Sequence, residues 1–137
     1  MDKIVICSGV MLAPEGDLLM VRKKGSSYFQ LRGGKVAPEE SREETLIREL
    51  KEELQYDVGG MEIRFIGSHS TQAVNELNTV VVGYIYLIKL AERHAFEAYE
   101  ELDEVLWISK ANWQNYRWAH LASEFVLPKW LSGDFDQ

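Results

Sequence analysis

The stretch from Gly33 to Tyr56 constrains this chain more than any other. It opens with Gly33-Gly34-Lys35-Val36-Ala37-Pro38-Glu39-Glu40 and continues as a run rich in leucine and glutamate. Apolar residues recur there at helical spacing, which predicts a helix over Glu39 to Gln55. Pro38 and Ser41 mark its entry, and Glu44, three residues after Ser41, makes a capping box. At about 100° per residue with Leu46 at zero, Ile47, Leu50 and Leu54 fall within a stripe about 100° wide. Glu53, Glu49 and Glu52 then fall at about 340°, 300° and 240°. The glutamates thus flank the stripe that packs on a sheet instead of lying opposite it.

That placement has an electrostatic cost. Glu49 and Glu53 are an i, i+4 pair of like charge, unfavourable by roughly 0.2–0.5 kcal/mol. A hard divalent cation reverses the sign, because Mg²⁺ takes carboxylate oxygens and bridges them to phosphates. The glutamates alone fit a solvated surface helix equally well, since glutamate is a good helix former. The preceding Gly33-Gly34, read as a turn that also permits close backbone approach, and the spacing as a whole favour the cation.

The rest of the chain supplies the sheet. Ile4 to Ala13 is apolar and β-rich, Pro14 to Asp17 is a turn signal, and Leu18 to Arg22 resumes as a second strand. Tyr28 to Leu31 reads as a short β segment. Met61 to Ser68 and Thr79 to Leu90 read as strands around a polar loop from Ser70 to Asn78, and Val105 to Ile108 as a short strand. Arg93 to Asp103 shows no clear pattern. Ala111 to Trp118 and His120 to Leu131 look helical, with Pro128 a candidate kink, and the tail from Ser132 looks loose. Strands, helix, strands, helix is an α/β (α+β) order, with helices covering a mixed or antiparallel sheet, and it lacks the regular alternation of a doubly wound fold.

Composition narrows the function. The 137 residues suit a single domain, residues 1–137. A net charge of −7 argues against a nonspecific nucleic-acid binder but admits a phosphorylated substrate if cations intervene. Cys7 is the lone cysteine; it lies in an apolar run and reads as core. With no disulfide available and no signal-peptide pattern at the N-terminus, a cytoplasmic location is expected. The apolar run at Val80 to Leu90 is too short to span a bilayer, so no membrane association is expected.

The motif residues resemble the Nudix hydrolase family. Gly34, Glu40, Arg48, Glu49, Leu50, Glu52 and Glu53 stand at the signature's positions, and Tyr56 takes its last apolar place. The resemblance covers residues 34–56 directly, and the flanking strand order is similar over most of the chain. It implies a Nudix-like α/β/α sandwich with a mixed sheet. It also implies Mg²⁺ (or Mn²⁺) held by Glu49, Glu52 and Glu53, with the Gly34 carbonyl as an added ligand. Glu40 and Arg48 would orient that cluster by ion pairing, and Glu52 or Glu53 is a candidate base. Loop carboxylates are alternatives for that role: Glu76, Glu101 or Glu104. Arg22 resembles a phosphate-contacting position, and Glu76 is a second substrate-binding candidate. Lys23, Lys24, His69, His94 and His120 read as surface or structural groups, and Tyr28, Phe29 or Trp107 as core aromatics that could also stack on a base.

The implied reaction is hydrolysis of the pyrophosphate linkage in a nucleoside diphosphate-X substrate. Subgroup markers for other substrates are absent, which leaves a MutT-like nucleoside triphosphate pyrophosphohydrolase. The alternative is a Nudix-fold binding or regulatory module without turnover. The expected partner is a small-molecule nucleotide, and the family admits a homodimer. Three departures from the family pattern stand out: Arg32 replaces a common proline, Ala37 a common acid, and Gln55 the glycine after the last glutamates.

Overall fold

A computed structural model describes residues 2–74 and 76–136. Its centre is strand β1 (Asp2–Leu12), which pairs in parallel with β5 (Thr79–Lys89) along its whole length, from Asp2 opposite Thr79 to Leu12 opposite Lys89. Its other side is shared. The end of β1 meets β2 (Leu18–Lys23) at Leu12 and Leu18, and Ile6 to Gly9 pair antiparallel with β3 (Arg32–Lys35). Strand β4 (Arg64–Gln72) borders β5, and β6 (Leu102–Ile108) borders β2, so the path runs β4-β5-β1-β2-β6 with β3 branching from β1. The mixed sheet expected from the sequence is therefore present.

Both faces of this sheet are covered, and the apolar runs show why. A parallel strand buried on both sides needs continuous rather than alternating hydrophobicity. Along β1, Met11 faces one layer while Val10 and Leu12 face the other. Along β5, Tyr86 and Ile88 alternate in the same way with Ile85 and Leu87. One layer is helix α1 (Arg42–Leu54), which buries Leu46, Leu50 and Leu54 against Cys7, Met11 and Ile88. Each of those leucines contributes about 1.5–3 kcal/mol by leaving water. The other layer is the C-terminal helical segment, a π-type turn at Ala122–Val126 running into α2 (Leu127–Ser132). It packs Val126 and Trp130 on Val10, Leu18 and Ile85.

Helix α1 begins at Arg42, three residues later than the expected Glu39, because Ser41 is its N-cap and closes the expected capping box. The Ser41 hydroxyl accepts from the Glu44 amide at 3.1 Å, and the Glu44 carboxylate accepts from the Ser41 amide at 2.8 Å. It ends at Gln55, whose φ of 53° is left-handed. That conformation is why the family pattern carries glycine at this point.

Several expectations are corrected. Gly33-Gly34 is not a turn: both residues lie inside β3, and neither has a positive φ. Residues 61–63 are irregular, and the strand instead runs from Arg64 to Gln72, into the expected polar loop, because Ser70, Thr71 and Gln72 pair with Val82, Val81 and Val80. Asn75 of that loop lies outside the described residues. Ala111 to Trp118 forms only a short 3-10 turn, Trp113–Asn115. The backbone there is committed elsewhere, since Phe29 donates to the Arg117 carbonyl and Ala119 donates to Phe29. Pro128 sits just past the π-type turn, where Leu127 donates to Ala122 five residues back, a recognised cause of bending. The tail is anchored: Phe135, in a final turn at Asp134–Asp136, is buried in the core. No helix among the described residues is long and apolar enough to cross a membrane.

The left-handed Gln55 gives the first test. A side chain in that region costs roughly 1–2 kcal/mol, part of which glycine's greater unfolded-state freedom offsets. Gln55→Gly is expected to raise stability by about 1 kcal/mol in urea denaturation.

Candidate functional site

A cavity of about 380 Å³ opens between the sheet and the chain leading into the C-terminal helix. That size lies in the usual range for small-molecule sites. Glu49 and Glu53 of α1 stand in its lining with Gly33 and Gly34. Ser8, Gln30, Thr71, Gln72, Glu76 and His120 supply further polar groups, and Ile4, Ile6, Val81 and Leu121 supply apolar wall.

The glycines of β3 create the floor by close approach. A Cβ at Gly33 would lie 1.9 Å from the Cys7 carbonyl oxygen, so no other residue lets β3 pair there with β1. A Cβ at Gly34 would lie 2.5 Å from the Glu49 carboxyl carbon. The missing side chain is the space that Glu49 fills. Below them the Cys7 thiol approaches the Gly34 carbonyl at 3.6 Å, and burial pushes its pKa up. It is a core group, as the sequence indicated.

The helix face sorts the three glutamates as their angles foretold. The side chains of Glu49 and Glu53 are 16% and 14% exposed, whereas Glu52, further round, is 58% exposed. Arg48 ties the outer part together. Its Nε and Nη2 donate to Glu40 at 2.9 and 3.0 Å, and its Nη1 reaches Glu49 and Glu52, each at 3.3 Å. Glu40 also accepts from the Thr45 hydroxyl at 2.8 Å. Those hydrogen bonds, Arg48 first, hold the Glu40 carboxyl below the usual carboxylate range, and Glu40 in turn raises the Arg48 guanidinium.

The inner part holds a residue that the sequence flagged only as a departure. Arg32 is buried, and its guanidinium pairs with Glu53 and, at 3.2 Å, with Glu101. Burial pulls its pKa down, opposed by Glu101 and Glu49. Its Nε has no hydrogen-bond partner among the described residues. Position 32, next to the glycine pair, was the only sequence signal for it.

The remaining candidates separate. Glu76 lines the cavity. Arg22 does not; its guanidinium is taken up by Asp103, Glu104 and the Ser26 carbonyl. Lys23, the next residue, lines the cavity instead, as does His120, whose Nδ1 lies 2.9 Å from the Gln72 carbonyl oxygen. Tyr28, Phe29 and Trp107 stay outside the cavity lining. Phe29 packs edge-on against Tyr116, and Trp107 belongs to the α1 layer beside Phe96.

The donor set suits a hard divalent cation. It offers carboxylate oxygens on one helix edge, next to a glycine whose missing Cβ leaves room for one of them. Among the described residues no three His, Cys, Asp or Glu side chains are already gathered on a common point, because Glu53 is turned to Arg32 and Glu52 to Arg48.

Comparison with known proteins places this geometry. The family model for the NUDIX domain matches residues 4–127. No curated protein sequence matches the chain at a significant level. Among solved structures, the dihydroneopterin triphosphate pyrophosphohydrolase of E. coli superposes with a TM-score of 0.71 at 15% identity, over 85% of this chain and 89% of that one. The NUDIX domain of Shewanella oneidensis NrtR, complexed with ADP ribose, gives 0.73 at 16% identity over 92% and 85%. A MutT protein from Methanosarcina mazei gives 0.65 at 22% identity over 79% and 78%. At these identities the likeness is one of fold.

Two tests follow from the geometry. Gly34→Ala is expected to displace Glu49 and to weaken Mn²⁺ binding by roughly 10–100-fold, the range for loss of a ligand's support, as measured by titration. Glu40→Gln tests the Arg48 clamp through pH. The folded pKa of Glu40 is depressed, so its contribution to stability is present above the unfolded value of 4.5 and fades as pH falls through the folded one. Urea denaturation from pH 7 to pH 3 is expected to show wild type ahead at neutral pH and the gap closing below pH 4.5.

Proposed function

The chain belongs to the Nudix family of pyrophosphohydrolases, and from that premise we propose that it hydrolyses the pyrophosphate linkage of a nucleoside diphosphate-X substrate, a nucleoside triphosphate first. The observation that carries this reading is the position of Glu49 and Glu53 in the lining of a cavity whose other polar groups suit a nucleotide.

Glu49, Glu53 and Glu52 would hold Mg²⁺ or Mn²⁺, with the Gly34 carbonyl beside Glu49. When bound, such an ion neutralises phosphate charge and lowers the pKa of attacking water. The chain's own residues do the rest. Arg48 fixes the carboxylates of Glu40, Glu49 and Glu52 relative to one another, which suits a reaction that depends on positioning. Lys23 and Lys35, both in the cavity lining, would draw the phosphates inward. Ser8, Gln30, Thr71 and Gln72 offer donors and acceptors to a base or sugar. Glu76 lies in the cavity lining and Glu53 in the α1 cluster, so these two are the candidates for accepting the proton of the attacking water.

Triphosphates rank first because the markers of other substrate classes are missing from the sequence. The neighbour from E. coli is named for a triphosphate substrate, and the NrtR domain was solved with ADP ribose, so both chemistries belong in the test. A panel of nucleoside triphosphates, ADP-ribose and dinucleotides is incubated with Mg²⁺, and products are separated by chromatography. Release of a nucleoside monophosphate from at least one substrate is expected. Chelation by EDTA is expected to stop it, and Glu53→Gln to slow it by about 10²–10⁴-fold. Unchanged turnover in Glu53→Gln would overturn the assignment of that residue. Tight binding across the panel without any product would make the protein a binding module.

A further inference from the structure

The family pattern commonly has proline where this chain has Arg32, and the structure gives the replacement a definite place. Arg32 lies on β3 directly before the glycine pair, with 7% of its side chain exposed. Its guanidinium joins Glu53 of α1 to Glu101 of the loop before β6. It lines the same cavity as Lys23 and Lys35, and its Nε lacks a partner among the described residues.

A buried guanidinium is tolerable only beside anions. Here the anion is one that a metal ion would also need. We propose that Arg32 is an exchangeable counter-cation: it holds Glu53 while no metal ion is bound, and passes to a phosphate oxygen of the substrate once a divalent cation takes Glu53. The proposal rests on the reading above that Glu53 is a metal ligand.

The exchange follows from charge balance. A cation that captures Glu53 leaves Arg32 with Glu101, whose side chain is half-exposed, and with the weaker pull of Glu49. In the cavity lining, Arg32, Lys23, Lys35 and a divalent ion then carry five positive charges against three negative ones from Glu49, Glu53 and Glu76. A diphosphate restores the balance, and the planar fork of a guanidinium matches phosphate oxygens. Metal and polyanion therefore bind cooperatively, each relieving the position the other creates. An uncharged side chain at position 32 would leave Glu53 open to metal from the start and would remove this part of the coupling.

The test measures binding. Mn²⁺ is titrated into wild type, Arg32→Met and Arg32→Lys, with free Mn²⁺ read by electron paramagnetic resonance. Each titration is repeated with methylenediphosphonate, whose bridge resists hydrolysis. Without the diphosphonate, Arg32→Met is expected to bind Mn²⁺ roughly tenfold more tightly than wild type, because no side-chain cation then competes for Glu53. Adding the diphosphonate is expected to tighten Mn²⁺ binding most in wild type and least in Arg32→Met. Arg32→Lys falls between, since an ammonium keeps the charge and loses the fork.

Equal or weaker Mn²⁺ binding by Arg32→Met, or the same diphosphonate effect in all three proteins, overturns the exchange while leaving the metal site intact. If neither variant folds, Arg32 is a structural charge and the exchange is likewise refuted. Wild type that binds no Mn²⁺ at all removes the metal site itself, and with it both this proposal and the proposed function.

Discussion

The Cys7 carbonyl oxygen occupies the volume in which a side chain at residue 33 would begin, and the Glu49 carboxylate occupies the corresponding volume at residue 34. Through these two contacts β3 sits against β1 on one side and against α1 on the other. Helix α1 is also fixed to the sheet by Leu46, Leu50 and Leu54. The edge of the helix that carries carboxylates is thereby held beside the two glycines of β3, which carry no side chains to cover it. The cavity exists because backbone, rather than side chains, closes its floor.

The second constraint is charge. Glu40, Glu49, Glu52, Glu53 and Glu101 converge on two guanidiniums, Arg48 and Arg32. The two differ in burial. Arg48 is partly solvated and clamps the outer carboxylates with a fork on Glu40, so it is suited to stay in place. Arg32 is enclosed, and its Nε has no hydrogen-bond partner among the described residues.

Much of this was legible in the chain. The capping box, the angular order of the three glutamates and the core role of Cys7 all rest on local rules, and the structure matches each of them. What escaped was set by distant partners. Trp118 pairs with Phe29, and that pairing replaces the helix suggested by Ala111 to Trp118. The glycine pair suggested a turn because glycine is usually chosen for its dihedral freedom; here it is chosen for its small size. Arg22 drew attention as a strand-end cation, yet Asp103 and Glu104, some eighty residues later in the chain, take its charge. Lys23 and His120 passed as ordinary polar residues, since only the folded cavity brings them to one place.

The C-terminal layer carries a consequence for where this fold can be cut. The match to the family's sequence model ends at residue 127, one turn into the helical segment. Packing does not stop there. Trp130 donates its indole N–H to the Gly16 carbonyl at 2.8 Å and lies tilted beside Trp118, and Phe135 is buried in the same layer. Ala119 to Ala122, at the head of this segment, form one wall of the cavity. A fragment trimmed to the boundary of sequence likeness would keep every motif residue and lose two aromatic anchors of the wall that faces them. In this protein the match to the family's sequence model ends before the packing of the C-terminal layer does.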